Sequence, residues 1–145
     1  MGMLDQNTKY ATAQAVTTVG DTASTNVYDA GNAASSDIGL ADELWLSVGV
    51  NTAGTSAGAA TLTPVLQHSD DNVTFTDALT GPTVAVADLT AGKTLWQTKM
   101  PTALKRYTRV GWRVATAALT AGKFDAYLSL DIQRNVARPS GFSVA

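Results

Sequence analysis

Gly54-Thr55-Ser56-Ala57-Gly58 matches the G-x-S-x-G pattern of a serine nucleophile elbow. An elbow needs a strand before the serine, a helix after it, and an acidic residue and then a histidine later in the chain. His68 is the one histidine, no acidic residue lies between it and Ser56, and Ala59 to Leu66 reads as strand. The segment is therefore expected to be a loop of small residues. Ala87-Asp88-Leu89-Thr90-Ala91-Gly92-Lys93-Thr94 approaches a phosphate-binding loop, but Ala87 replaces its first glycine. Such a loop must also open a helix whose N-terminus meets the phosphate, and here a strand pattern follows. Asp70-Asp71-Asn72 could begin a calcium loop, yet calcium takes six or more oxygens and no neighbour completes the set. Asp and Asn are ordinary turn formers. Asn72-Val73-Thr74 is a glycosylation sequon without a secretory context. Paired carboxylates could cleave a glycoside, but no Asp or Glu stands apart from the rest. The residues thus point to no catalytic group, no metal site and no cofactor.

The elements that would position any site read as strands. Short apolar runs alternate with Gly, Asn and Asp clusters, which is the all-β pattern. Glu43 to Val50 places Leu44, Leu46, Val48 and Val50 on one face by period two. Thr61 to Ser69 places Leu62, Pro64, Leu66 and His68 on one face; Pro64 cannot donate to a ladder, so this run is expected at an edge or a bulge. Further strands are expected at Ala15 to Val19, Thr25 to Asp29, Val73 to Asp77, Thr83 to Ala87 and Thr94 to Lys99. In Arg106 to Val114, the residues Thr108, Val110, Trp112 and Val114 share a face opposite Tyr107, Arg109, Gly111 and Arg113. In Lys123 to Ile132, the apolar face is Phe124, Ala126, Leu128, Leu130 and Ile132. A hairpin around Leu119 would set Trp112 near Ala126 and Arg113 near Asp125. Leu89-Thr90-Ala91-Gly92-Lys93 recurs as Leu119-Thr120-Ala121-Gly122-Lys123, each before a strand, and both copies read as turns in which glycine supplies positive φ. Asn51 to Ala60 is expected to be a long mobile loop. The sum is an all-β, single-domain β-sandwich of jelly-roll type, with residues 14–132 as the domain. Residues 1–13, with a short helical turn, and 133–145 are expected as N- and C-terminal arms.

Composition bounds the rest. At 145 residues the chain suits one domain, and a domain of that size buries roughly 70% of its unfolded surface. It has no cysteine, so neither disulfides nor thiolate metal sites can form. Net charge is −2 and no Lys/Arg run occurs, whereas nucleic-acid binders carry a basic footprint. No apolar run reaches membrane-spanning length. The N-terminal residues lack the charged and apolar regions of a secretory signal, and Gln6 stands where a myristoylation site needs Ser or Thr. A soluble, unexported chain is expected, with no nucleic-acid, membrane or small-molecule partner.

Three aromatics fall on polar strand faces: Trp45, Tyr107 and Tyr127. They could stack sugars, lie in a subunit interface, where Trp and Tyr are enriched, or cover a sheet; interface or cover is the preferred reading. Arg134, Arg138 and Phe142 are the contact-like side chains of the C-terminal arm.

An ordered set of segments adds a resemblance. It runs Thr25-Asn26-Val27-Tyr28-Asp29, Asp37-Ile38-Gly39, Leu44-Trp45-Leu46-Ser47-Val48, Gly58-Ala59-Ala60-Thr61-Leu62, Leu66-Gln67 before Asp70-Asp71-Asn72, Leu89-Thr90-Ala91-Gly92, Arg106-Tyr107-Thr108-Arg109-Val110 and Leu119-Thr120-Ala121-Gly122. From about residue 14 to 132 the chain resembles the small capsid cement, or decoration, proteins of tailed bacteriophages. The resemblance implies a jelly-roll sandwich that forms homotrimers, made in the bacterial cytoplasm and carried on the outer surface of the virion. Such trimers clamp neighbouring major capsid subunits, and neither a reaction nor a cofactor is implied. Two other classes compete. A carbohydrate- or receptor-binding sandwich of a phage tail or cell surface would lose glycan binding on Trp45→Ala. An enzyme would depend on Ser56 or His68.

Overall fold

The computed structural model describes residues 6–31 and 44–130. Among the described residues, a 3-10 turn, Gln6–Thr8, leads into β1 (Lys9–Ala15). There follow β2 (Gly20–Ala23), β3 (Tyr28–Asp29), β4 (Trp45–Thr55), β5 (Thr61–Ser69), β6 (Thr76–Thr80) and β7 (Val84–Ala85). A second 3-10 turn, Val86–Asp88, precedes β8 (Thr94–Lys99), β9 (Tyr107–Ala115) and β10 (Ala121–Ser129). Two antiparallel sheets result. Sheet A has the order β1-β10-β4-β8, and sheet B has β2-β9-β5-β6, with β3 extending the β2 edge and β7 the β6 edge. Since β2/β3 and β6/β7 share one position each, eight strand positions form two packed sheets, and the chain passes between them in the nested order of a jelly roll. The chain is an all-β sandwich.

The core lies between the inner faces. Leu46, Val48 and Val50 of β4 and Phe124, Ala126 and Leu128 of β10 face Leu62, Leu66, Val110, Trp112 and Val114 of sheet B, all nearly inaccessible. In β4, β9 and β10 the apolar faces read from the sequence are the inner ones, because a strand between core and solvent has no other way to place apolar side chains. Strand β5, by contrast, is buried on both faces, with Val65 and Ser69 as inaccessible as Leu62 and Leu66. Leu130 departs from this: β10 ends at Ser129, and Leu130 is 68% exposed.

Several expectations change. The strands β9 and β10 do not form a hairpin: β9 pairs with β2, β3 and β5, and β10 pairs with β1 and β4. Side by side, their apolar faces would both need cover from elsewhere; in opposite sheets they cover each other. The expected arm does not extend to residue 13. Lys9–Ala15 is a strand, and Tyr10 and Ala11 are buried. Tyr10 is held by a 2.7 Å hydrogen bond between its hydroxyl and that of Thr108. Residues 16–19 are not strand, although Val16 is buried, and Val19 is 59% exposed. Within Thr25 to Asp29 only Tyr28 and Asp29 pair.

The expected loop at Asn51 to Ala60 is half strand, because β4 runs on to Thr55. Both copies of the Leu-Thr-Ala-Gly repeat hold that extension. The Gly54 amide donates to Leu89 O at 2.8 Å, and the Thr120 amide donates to Thr55 O at 2.7 Å. Both repeat glycines have positive φ, +79° at Gly92 and +149° at Gly122. Leu89 packs over Gly54 so closely that a Cβ there would lie 2.8 Å from its Cδ1.

Pro64 is not on an edge strand. It sits in β5, opposite Trp112 of β9. In an antiparallel ladder a residue's N–H and C=O point to the same neighbour. Pro64 O accepts from the Gly81 amide at 2.8 Å, so its missing N–H also points to that side, where β6 has ended and β7 has not begun. Strand β6 starts later than expected, at Thr76, because Asp71 folds the preceding residues into a turn. Its carboxylate accepts from the Ser69 hydroxyl and from the Val73 and Thr74 amides. Asp37-Ile38-Gly39 lies outside the described residues, as do 1–5 and 131–145.

Candidate interaction surfaces

With the inner faces filled, the outer faces of the two sheets carry the remaining chemistry. On sheet A, β4 presents Trp45, Ser47 and Gly49 outward. Pairing sets Trp45 between Ser129 of β10 and Lys99 of β8, and Ser47 between Tyr127 and Gln97. Lys9 of β1 stands beyond Tyr127. Thus Trp45 and Tyr127, singled out from the sequence, do share a face, on neighbouring strands and adjacent rows. The Lys99 ammonium lies 5.7 Å from the Trp45 ring centroid, within cation–π range. Ser47 is only 3% exposed although it faces outward, and Gln97 Nε2 stands 3.5 Å from its hydroxyl. Asp125 accepts from the Ala13 amide at 2.6 Å and from Asn51 Nδ2 at 3.1 Å. This carboxylate holds the β1 irregularity, where Ala13 has φ of 45°.

Tyr107 is not with them. It projects from β9 on sheet B, at the back of the sandwich, with the Arg106 guanidinium 4.8 Å from its ring centroid. That face carries a polar lattice. Arg113 donates through Nε and Nη2 to both oxygens of Asp21, at 2.8 and 2.9 Å, and through Nη2 to Asp77 at 3.1 Å. Gln67 donates to Asp77 at 2.9 Å and accepts from Arg109 Nε at 2.9 Å. Arg109 in turn lies 3.9 Å from the Phe75 ring centroid. Gly111 makes room for Gln67, whose Cδ would lie 3.3 Å from an added Cβ. Hydrogen bonding to Arg113 holds the Asp21 carboxyl below its ordinary range, and Arg106 does the same for Asp29. Hydrogen bonds from Ser69, then Thr74 and Val73, hold Asp71 far below it.

The catalytic look-alikes are engaged structurally. The Ser56 hydroxyl donates to Ala118 O at 2.7 Å and accepts from the Gly58 amide. His68 stands near the other end of β5; burial holds its pKa below the ordinary value, and its Nδ1 accepts from the Lys105 amide at 3.4 Å. Lys93 of the first repeat pairs with Asp88 at 3.6 Å, and β8 rather than a helix follows it. A polar groove of about 410 Å³ is lined by Gln6, Asn7, Lys9, Thr25, Asn26 and Val27. Among the described residues no group of three or more His, Cys, Asp or Glu is placed to hold a metal. Arg134, Arg138 and Phe142 lie outside the described residues.

Sequence reasoning missed the Asp21–Arg113–Asp77 pairing and the placing of Lys9 and Lys99 on the two edge strands of sheet A. Parity assigned each residue a face, but partners across strands depend on sheet order, for which the sequence has no local signal.

A family model described as Bbp16 matches residues 10–128. No curated protein matches the chain.

Proposed function

The chain belongs to the Bbp16 family, and from that premise we propose that it is a structural virion protein, a capsid cement or decoration protein. It binds the outside of a tailed-bacteriophage head and clamps neighbouring major capsid subunits. It does so as a homotrimer, without a reaction, a cofactor, nucleic acid, a membrane or a small-molecule substrate. It is made in the host cytoplasm and ends on the outer virion surface.

The observation that carries this reading is the jelly-roll sandwich on which the described resembling segments sit. Leu44 to Val48 leads into β4, an inner strand of sheet A, Arg106 to Val110 leads into β9, an inner strand of sheet B, and the two Leu-Thr-Ala-Gly copies brace the far end of β4. A clamp under load needs such a body, closely packed and cross-braced between sheets. Arg134, Arg138 and Phe142 of the expected C-terminal arm supply further contacts in this reading, since several contacts on one oligomer add avidity. Trp45 and Tyr127 on one face favour a second reading, a carbohydrate- or receptor-binding module, in which Trp45→Ala abolishes glycan binding.

Co-sedimentation with expanded phage heads lacking the protein tests the proposal, with light scattering for native mass. Saturable pelleting of a trimer supports it. Failure of the wild-type protein to pellet with heads overturns it.

A further inference from the structure

We propose that the outer face of sheet A is the docking face, and that it receives a carboxylate-lined protein surface. This rests on the capsid reading and names the side of the molecule and the chemistry of its partner.

The argument comes from how positive charge is distributed. Among the described residues, basic side chains away from this face are already occupied. Lys105 pairs with Asp70, Arg106 with Asp29, Arg113 with Asp21 and Asp77, and Lys93 with Asp88. Arg109 donates to Gln67 and stacks on Phe75. Lys9, Lys99 and Lys123 differ: among the described residues none of them has a carboxylate within ion-pair distance, and all three lie in sheet A. Lys9 stands opposite Tyr127, Lys99 opposite Trp45, and Lys123 opposite Thr52 and Ala15, with the outward parity of Asp125 and Tyr127.

The one described carboxylate of this face, Asp125, already holds the Ala13 amide and Asn51. Among the described residues the face is therefore net positive, on a chain whose net charge is −2. Lysines without a described carboxylate partner, beside half-buried Trp and Tyr, suit a partner that brings carboxylates to the rim and apolar surface to the aromatics. Charge of this kind steers encounter and fixes orientation, and its effect is weakened by salt.

The test compares two variants with the wild type in head co-sedimentation at low and moderate salt. Lys9→Glu/Lys99→Glu/Lys123→Glu reverses the face. Lys93→Glu/Lys105→Glu alters charge elsewhere. The gentler Lys9→Gln/Lys99→Gln/Lys123→Gln guards against a folding defect in the first, with circular dichroism as the check. The expected result is a loss of about tenfold or more for the reversed face, a smaller loss for the glutamine variant, little change for the control, and wild-type affinity that falls with salt. If the wild type binds and the reversed face binds as well, or the control weakens equally, this inference falls and the capsid reading stands. If the wild type does not bind heads, both fall. Retention of the wild type on double-stranded DNA at the same salt, or self-association lost only in the reversed-face variant, puts a different occupant on the face and overturns the inference.

Discussion

Trp112 and Phe124 meet across the sandwich with ring centroids 5.4 Å apart and planes tilted by 33°. They belong to consecutive strands of the chain, yet to opposite sheets. Both are fully buried, and Trp112 Nε1 also donates to Gln14 Oε1 at 3.2 Å. Gln14 further accepts from the Thr25 amide and donates to Ala23 O. One aromatic pair thus joins the sheets, and its indole reaches the side chain that ties β1 to β2.

Trp112→Ala is expected to cost about 3–5 kcal/mol, the range for emptying a large aromatic site in a core. Urea unfolding followed by near-ultraviolet circular dichroism measures it. A loss below 1 kcal/mol would mean that the sheets collapse onto the vacancy.

Gly81→Ala is expected to destabilise by about 1–3 kcal/mol through overpacking. The added Cβ would lie 2.7 Å from the Trp96 ring and 2.9 Å from Pro64 O. The indole can shift, but the carbonyl is fixed by β5. Gly81→Ala/Trp96→Leu should therefore recover only part of the loss, as read by the denaturation midpoint.

Asp21→Ala and Arg113→Ala should couple by only about 0.2–1 kcal/mol in a double-mutant cycle, since the pair is half exposed. The coupling should shrink in added salt. A coupling that salt leaves unchanged would show that the lattice on sheet B is far better shielded than its exposure implies.

Acid should destabilise the fold through Asp71 and Asp21. Their folded pKa values lie below the ordinary 3.8, so the unfolded chain takes up protons first as pH falls. The stabilisation is complete above about pH 4–5, where the unfolded carboxylates are ionised. It is lost as pH drops through 3.8 toward the lower folded values. Asp71→Asn should lower stability at neutral pH and flatten this acid limb, measured by thermal melts from pH 7 to pH 2. An unchanged limb would remove Asp71 as its source.

What the sequence determined by itself is the local part. Alternation at Leu44 to Val50, Thr108 to Val114 and Phe124 to Leu128 assigned inner and outer faces, because a strand's side chains have period two whatever lies beside it. Thr61 to Ser69 and Thr94 to Lys99 were legible with their bounds. The first Leu-Thr-Ala-Gly copy was legible as a turn because glycine's freedom at positive φ is a property of the residue, whereas in the second copy Ala121 and Gly122 already belong to β10. Class followed from these.

Only the tertiary structure decided who stands next to whom. The sheet assignment of β9 and β10, the continuation of β4 to Thr55, the docking of Tyr10 and the tolerance of Pro64 all depend on contacts between residues distant in the chain. So do the lattice on sheet B and the gathering of Lys9, Lys99, Trp45 and Tyr127 on sheet A. Strand order is set by the global burial of faces, and many orders satisfy the same local pattern.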